Sequence, residues 1–353
     1  MKLSYKISLA YVSVIKKIRA QFIKSLISLL FVKSNNTKKI LINRDGAFGD
    51  SVVALPSLSV IRQNFPSAEI DLITFSDRGI TFADFELEDG LVNTILVKSK
   101  RDRNKTIKEL KKNKYDLFIQ LPQNLGLYKS IRNMIIVRFF MNIKSGFGWD
   151  YGRIKSFINT QKKYLPIPTE TLRLLNNLKA AGLNGEMSYP IKAIKPTDQV
   201  VTDLLKQKIV VFIIGGKLKT KKWPQEKWIK LANLIGKDYE IIIIGGPSEE
   251  EEAKHIKSQT KNSHNFCNKF SISELFYVFK HSQIAISNDT GAMHLCDAAG
   301  TPVIGLFSTK ELSPKWYPNS EKSIVIEDDN SISNINLLLS LSNLFNFNRR
   351  TAA

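Results

Sequence analysis

Twice along this chain, short and nearly uninterrupted runs of apolar, β-branched residues alternate with stretches that are apolar at helical spacing. In the first series, residues 39–43, 69–75, 94–97, 116–121 and 134–139 read as buried strands, with helices over 53–64 and 105–114 between them. In the second, residues 209–214, 240–244, 283–287, 302–307 and 323–326 do the same. Strands that do not alternate apolar with polar are covered on both faces. Separated by helices, they imply parallel sheets joined by crossover connections. Each series has its own strand-then-glycine turn, so the pattern predicts an α/β protein of two Rossmann-like domains. The 353-residue length fits two domains better than one.

The division falls where the pattern lapses. Pro166-Ile167-Pro168 precedes a predicted helix over 170–181, and residues 182–196 are rich in Gly, Pro and Ser, which places the boundary near residue 190. The expected organisation is a basic segment over 1–35, a first domain over 36–190, a second over 191–330, and a tail over 331–353. Within that tail, residues 332–347 are apolar at helical spacing, as for a helix packing across the domains.

Composition narrows the chemistry. Two cysteines, Cys267 and Cys296, cannot build a disulfide framework or a cysteine-rich zinc site. His255, His264, His281 and His294 lack metal-ligand spacing, so no metal site is expected. The net charge of +20 is lopsided, with 29 Lys and Arg against 14 Asp and Glu in residues 1–170 and 23 against 18 in the rest. The first half therefore suits an anionic partner. Nucleic acid is disfavoured, because no RNP, finger or basic-zipper pattern is present.

Residues 2–33 carry seven Lys/Arg and no acid, and their apolar runs (7–15 and 26–32) are too short to span a bilayer. The Lys16-Lys17 pair sits where a signal peptide would need small residues. Two readings remain: a basic amphipathic helix in the headgroup region, or a helix packed on its own domain.

Ligands of parallel α/β sheets sit beyond the carboxyl ends of the strands, and four turns here lie in such places. Residues 44–51, Arg-Asp-Gly-Ala-Phe-Gly-Asp-Ser, follow the first strand. Gly46 and Gly49 allow a tight turn and close approach by a ligand, and Asp50 opens the next helix, as a helix cap or as a reacting carboxylate. The turn is neither a dinucleotide fingerprint nor a P-loop. Gly215-Gly216-Lys217, followed by Thr220-Lys221-Lys222-Trp223-Pro224, places lysines where they could neutralise a diphosphate. Gly245-Gly246-Pro247-Ser248-Glu249 puts an acid where ribose hydroxyls or a helix dipole would use it. Finally, Asp289-Thr290-Gly291-Ala292-Met293-His294 leads from a strand into a helix whose free N–H groups suit an anion. His294, one turn in, reads equally as a packed histidine.

The order and spacing of these turns (GxxGD, KxWP, an acid after the next strand, then DTGxxH followed by AAGTPVIGLF) closely resemble glycosyltransferase family 9, the lipopolysaccharide heptosyltransferases and their relatives. The resemblance covers residues 38–320. It implies the GT-B fold, two Rossmann-like domains facing each other across a cleft, the acceptor on the first and the nucleotide-sugar on the second. It implies an inverting enzyme with no cofactor and no catalytic metal. Asp50 maps onto the catalytic base, Lys221 onto the phosphate-binding lysine, Lys222 onto a variable position, and Glu249 onto the ribose-contacting acid. Asp289, Thr290 and Gly291 map onto the diphosphate loop, with His294 following; residues 268–273 would lie near the base.

The implied reaction has Asp50 accept the acceptor proton while Lys221 and the 290–291 helix end stabilise the departing diphosphate, after closure about residue 190. The implied partners are a nucleotide-diphosphate sugar and an anionic glycolipid or glycan acceptor. The implied setting is cytoplasmic, at the inner membrane surface. Lys217 and Ser308-Thr309-Lys310-Glu311 depart from the family pattern and leave the sugar open, heptose or another. A nucleotide-sugar-binding protein without transfer is the alternative, and the presence of both Asp50 and Lys221 speaks against it.

Overall fold

A computed structural model describes residues 14, 18, 21–32, 36–122, 126–149, 168–235, 238–308, 313–328 and 335. The chain divides into two units, residues 1–190 and 191–353. Each is a wholly parallel sheet with helices.

In the first unit, strands β1 (Lys39–Asn43), β2 (Glu69–Phe75), β3 (Thr94–Lys98), β4 (Leu117–Gln120) and β5 (Ser145–Phe147) pair in the order β3-β2-β1-β4-β5. Its sheet core is apolar on both faces: Ile40, Leu41, Ile42, Ile70, Leu72 and Ile119 are all fully buried. That burial is why these runs show no alternation. Chain reversal at the centre of the sheet makes a topological switch point between β1 and β4, where open α/β sheets bind ligands.

One expected strand is not a strand. Residues 134–139 continue the helix Leu127–Ile135 into a π-helical turn, Ile136–Phe140, closed by Met141 N–H donating to Ile136 O at 2.9 Å. The run is rich in β-branched residues, but the buried positions are Ser130, Met134, Val137 and Met141, which follow a helical period. Ile135, Phe139 and Phe140 face outward. The fifth strand is the short Ser145–Phe147 instead.

The helix over residues 21–30 packs on the same layer, with Ile23 and Phe31 buried and Phe31 stacked on Trp149 at 4.9 Å. Arg138 Nε donates to Leu30 O at 2.7 Å. The carboxyl part of the basic segment is thus packed on its own unit, while most of residues 1–20 lie outside the described residues. No helix among the described residues is long and apolar enough to cross a membrane.

The second unit contains β6 (Ile209–Ile213), β7 (Glu240–Ile244), β8 (Ser263–Asn265), β9 (Ile284–Asn288), β10 (Val303–Ser308) and β11 (Ile324–Asp328), in the order β11-β10-β9-β6-β7-β8. Its switch point falls between β6 and β9. Trp223, Trp228 and Phe212 fill the core on one face, the two indoles meeting edge-on at 4.9 Å. The expected helix over 332–347 lies outside the described residues except at Ile335. That residue is buried in this core, and its carbonyl accepts hydrogen bonds from Trp223 Nε1 and Lys227 Nζ.

Candidate functional site

Both switch points carry the residues that the sequence singled out. In the first unit, Asp50 is the third residue of the helix Phe48–Val52, not its cap, and its Oδ2 reaches back to accept the Ala47 N–H at 2.9 Å. Gly46 is what permits this: a Cβ there would stand 2.2 Å from the Asp50 Cβ, an impossible contact that would displace the carboxylate. Gly49 is the second residue of the same helix. The other carboxylate oxygen, Oδ1, is buried and has no hydrogen-bond partner.

The loop is held from beneath by a charge cluster that inspection of the sequence did not identify. Arg44 is fully buried, and its Nη2 donates to the Asp50 carbonyl at 2.9 Å. Its guanidinium faces the equally buried Glu170, 126 residues away, at 3.4 Å. Arg173 closes the cluster, donating to Glu170 at 2.8 and 2.9 Å and to the Pro122 carbonyl beyond β4. Burial pulls Arg44 below its ordinary pKa, and the charges of Glu170 and Asp50 oppose that pull. The loops after β1 and β4 are therefore fixed together at the switch point through a residue on the helix Glu170–Ala180. The sequence signal was an arginine directly after a buried strand, which is ambiguous without its partner.

In the second unit, Gly215 follows β6, and a Cβ on it would lie 3.7 Å from Glu249 Oε2, 3.8 Å from Thr290 Oγ1 and 4.0 Å from Gly245 Cα. Three of the expected turns thus converge within a few ångströms. Lys221 Nζ pairs with Asp289 Oδ2 at 2.6 Å. Lys222 Nζ bridges Glu249 at 3.1 Å and Glu252 at 3.0 Å. Burial alone would lower the Lys222 pKa, but its hydrogen bonds and charge pairing with Glu252 and Glu249 raise it on balance. Thr290 precedes the helix Gly291–Ala298 without capping it through its hydroxyl, so that hydroxyl and the first-turn N–H groups of Gly291 and Ala292 are disposed towards an anion.

Glu249 repeats the Asp50 geometry. Its Oε2 accepts the Gly246 N–H at 2.9 Å, and a Cβ on Gly245 would come within 2.7 Å of the Glu249 Cβ. The two acids differ in what remains open. Glu249 Oε1 already accepts from Ser248 at 2.8 Å and from Lys222, whereas Asp50 Oδ1 accepts nothing.

Asn288, which the sequence reading passed over, is the fully buried brace of this site. Its Nδ2 donates to Ile214 O at 2.7 Å and its Oδ1 accepts from Trp223 N–H at 3.1 Å, tying the end of β6 and the lysine loop to β9. His294 is buried, with its ring edge-on to Trp316 at 5.9 Å, in keeping with the packed-histidine alternative.

Asn268 N–H donates to Gly245 O at 3.0 Å and brings the segment after β8 to the same strand end. There Ser271 caps the helix Ile272–Lys280. Cys267, beside Gly245, is buried, and burial together with Glu249, Glu250 and Glu252 pushes its thiol up to about 12. No cluster of three or more His, Cys, Asp or Glu suited to a metal occurs among the described residues.

The chain was compared with known proteins. The sequence model for glycosyltransferase family 9 (heptosyltransferase) matches residues 103–333. Among curated relatives, a lipooligosaccharide heptosyltransferase 2 of Campylobacter jejuni is 24% identical over 302 residues, covering 81% of this chain and 87% of that protein. A lipopolysaccharide heptosyltransferase 3 of Escherichia coli is 25% identical over 296 residues, covering 78% and 85%. Among solved structures, an E. coli heptosyltransferase with ADP superposes with a TM-score of 0.63 at 18% identity, covering 88% of this chain and 99% of that one. A glycosyl transferase family 9 structure from Veillonella parvula gives 0.63 at 17%, covering 88% and 93%. The fold is GT-B.

Proposed function

The chain belongs to glycosyltransferase family 9, the heptosyltransferase family, and on that premise we propose that it moves a sugar from a nucleoside-diphosphate sugar to a hydroxyl of an anionic glycolipid or glycan, with inversion and without a catalytic metal. The observation that carries the mechanism is the difference between the two matched acids. A buried carboxylate oxygen with no partner is uncommon in a folded protein, and a substrate hydroxyl would supply the missing hydrogen bond.

In the proposed reaction the acceptor oxygen bonds to the anomeric carbon as its proton passes to Asp50 Oδ1 and the bond to the diphosphate breaks. A carboxylate is a weak base, effective as positive charge grows on the attacking oxygen. The leaving diphosphate gains charge, which Lys221, the Thr290 hydroxyl and the first-turn N–H groups stabilise. Asp289 acts on Lys221, holding its ammonium in place. Three of the four lone-pair positions of the Glu249 carboxylate are occupied, and the remaining one suits a single ribose hydroxyl.

The test is transfer by the purified chain. ADP-heptose is the first donor to assay, because solved relatives are described with ADP and as ADP-heptose enzymes, with other nucleotide-sugars in parallel. In a folded Lys221→Met variant kcat should fall about 100-fold, the effect of losing one preorganised donor worth about 3 kcal/mol. Undiminished kcat would remove Lys221 from the leaving-group role.

The basic first half suits the anionic acceptor and, on the same proposal, the cytoplasmic face of the inner membrane. Salt-sensitive binding to vesicles containing phosphatidylglycerol should weaken several-fold when Lys16, Lys17 and Arg19 are changed to Gln, a set that spares the packed residues 21–32. Equal binding to neutral phosphatidylcholine vesicles would contradict it.

A further inference from the structure

Along the carboxyl edge of the second sheet the donor-site groups stand in a line. Asn268 follows β8, Glu249 follows β7, and Lys221, Asp289 and Thr290 gather where β6 adjoins β9. Beyond β9 the line continues with β10 and β11, whose ends carry none of the four turns read from the sequence. Leu306 of β10 pairs with Asn288 on one side and Ile326 on the other, so Asp289, Phe307 and Glu327 end three adjacent strands at one level. Two strand spacings put the backbones of Asp289 and Glu327 roughly 10 Å apart.

Tyr317 stands in that interval. Phe307 leans back over Gly305, where a Cβ would lie 2.7 Å from its ring, and the Tyr317 ring meets Phe307 edge-on at 4.9 Å. The Tyr317 hydroxyl donates to Glu327 Oε1. Burial, that hydrogen bond and the charges of Glu327 and Asp289 all raise the Tyr317 pKa, so the phenol keeps its proton beside the two carboxylates. Trp316 lies edge-on to His294 at 5.9 Å, and both aromatic rings are only partly buried. Asp297 fastens this turn, its Oδ2 accepting the Asn319 N–H at 2.7 Å and its Oδ1 the Ser320 N–H at 3.1 Å. Asp297 and His294 belong to the helix Gly291–Ala298, so one helix carries both the anion-binding end and the aromatic pair. Among the described residues, Glu327 Oε2 and Asp289 Oδ1 accept no hydrogen bond. Open carboxylate oxygens beside part-exposed rings suit a polyol, whose hydroxyls donate to the acids while its C–H face lies on the rings.

A nucleoside-diphosphate sugar laid along this edge, with its nucleoside over β7 and β8 and its diphosphate at β6 and β9, brings its sugar to β10 and β11. We propose that Trp316, Tyr317 and Glu327 are specificity-determining residues for that sugar. Glu327 and the open oxygen of Asp289 accept its hydroxyls, the aromatic pair bears its C–H face, and Tyr317 positions Glu327. The inference rests on the nucleotide-sugar reading above and adds which groups choose the sugar.

The full chain would be titrated calorimetrically with ADP, UDP and GDP, and with ADP-heptose, ADP-glucose, UDP-glucose and GDP-mannose. The quantity read is the Kd of a sugar nucleotide divided by that of its own diphosphate, for the tightest-binding pair. Glu327→Ala and Trp316→Leu should each raise that ratio about tenfold, while the Kd of the bare diphosphate stays within about twofold. Glu327→Gln, which keeps an acceptor oxygen, should recover part of the loss. Tyr317→Phe, which releases Glu327 but keeps the packing on Phe307, should raise the ratio severalfold. Glu327 is exposed on the edge strand β11, so its variants keep the fold. An unchanged ratio in folded Glu327→Ala and Trp316→Leu overturns the proposal and leaves the nucleotide-sugar reading intact. Equal weakening of diphosphate and sugar nucleotide assigns these residues to the fold and overturns it too. Failure of the unmodified chain to bind any of these nucleotides removes both.

Discussion

An Asp50→Asn variant should lose about 10³-fold in kcat while still folding and still binding nucleotide. The substitution is nearly isosteric, and the amide oxygen can still accept the Ala47 N–H that the carboxylate accepts at 2.9 Å, so the turn survives. What it removes is a group at the Oδ1 position able to take a proton, and general-base catalysis is typically worth about 10²–10⁴ in rate. Asp50 belongs to the first unit and the diphosphate constellation to the second, so the dissociation constant for the nucleoside diphosphate should stay within about twofold. Single-turnover rates with saturating donor, set beside nucleotide titrations, separate the two effects. A variant turning over at near-normal rate would leave the partnerless oxygen of Asp50 unexplained and the proposed reaction without its base.

The largest stability effect should come from Glu170, which touches no proposed substrate. Glu170→Ala leaves Arg44 fully buried without its countercharge, and breaking a buried pair this way costs about 3–5 kcal/mol. Replacing both, Arg44→Met with Glu170→Leu, should cost less than the single change, because no uncompensated charge remains and the part-exposed Arg173 can turn to water. The same single variant should lower kcat, since Arg44 holds the Asp50 carbonyl at 2.9 Å. Denaturant unfolding followed by Trp149 fluorescence reports on this unit. A double variant less stable than Glu170→Ala would mean that the pair contributes net stability beyond satisfying its own charges.

The two paired acids show how far local pattern reaches. A glycine, a short turn and an acid four residues after the glycine are local features, and Gly46–Asp50 and Gly245–Glu249 fold as their spacing suggests, each carboxylate reaching back onto its own turn. The uninterrupted apolar run of a buried strand is likewise local, and nine of the eleven strands overlap a run legible in the sequence. The misreading of residues 134–139 comes from the same source. β-branched residues favour strands by intrinsic preference, and only the packing of Met134, Val137 and Met141 against the sheet overrides that preference. Strand β8, three residues long with a single fully buried position, carries too little pattern to be seen.

By itself the sequence determined the α/β class, the turns that bear the chemistry, and the acid and lysine to be tested, because side-chain period and turn geometry are settled within a few residues. Tertiary structure alone decided the strand order that makes switch points of β1/β4 and β6/β9, the pairing of Arg44 with Glu170, and the bracing by Asn288. Each of these joins residues tens to more than a hundred positions apart. Such contacts exist only once the sheets have closed, and no local preference encodes which distant partner a buried charge or amide will find.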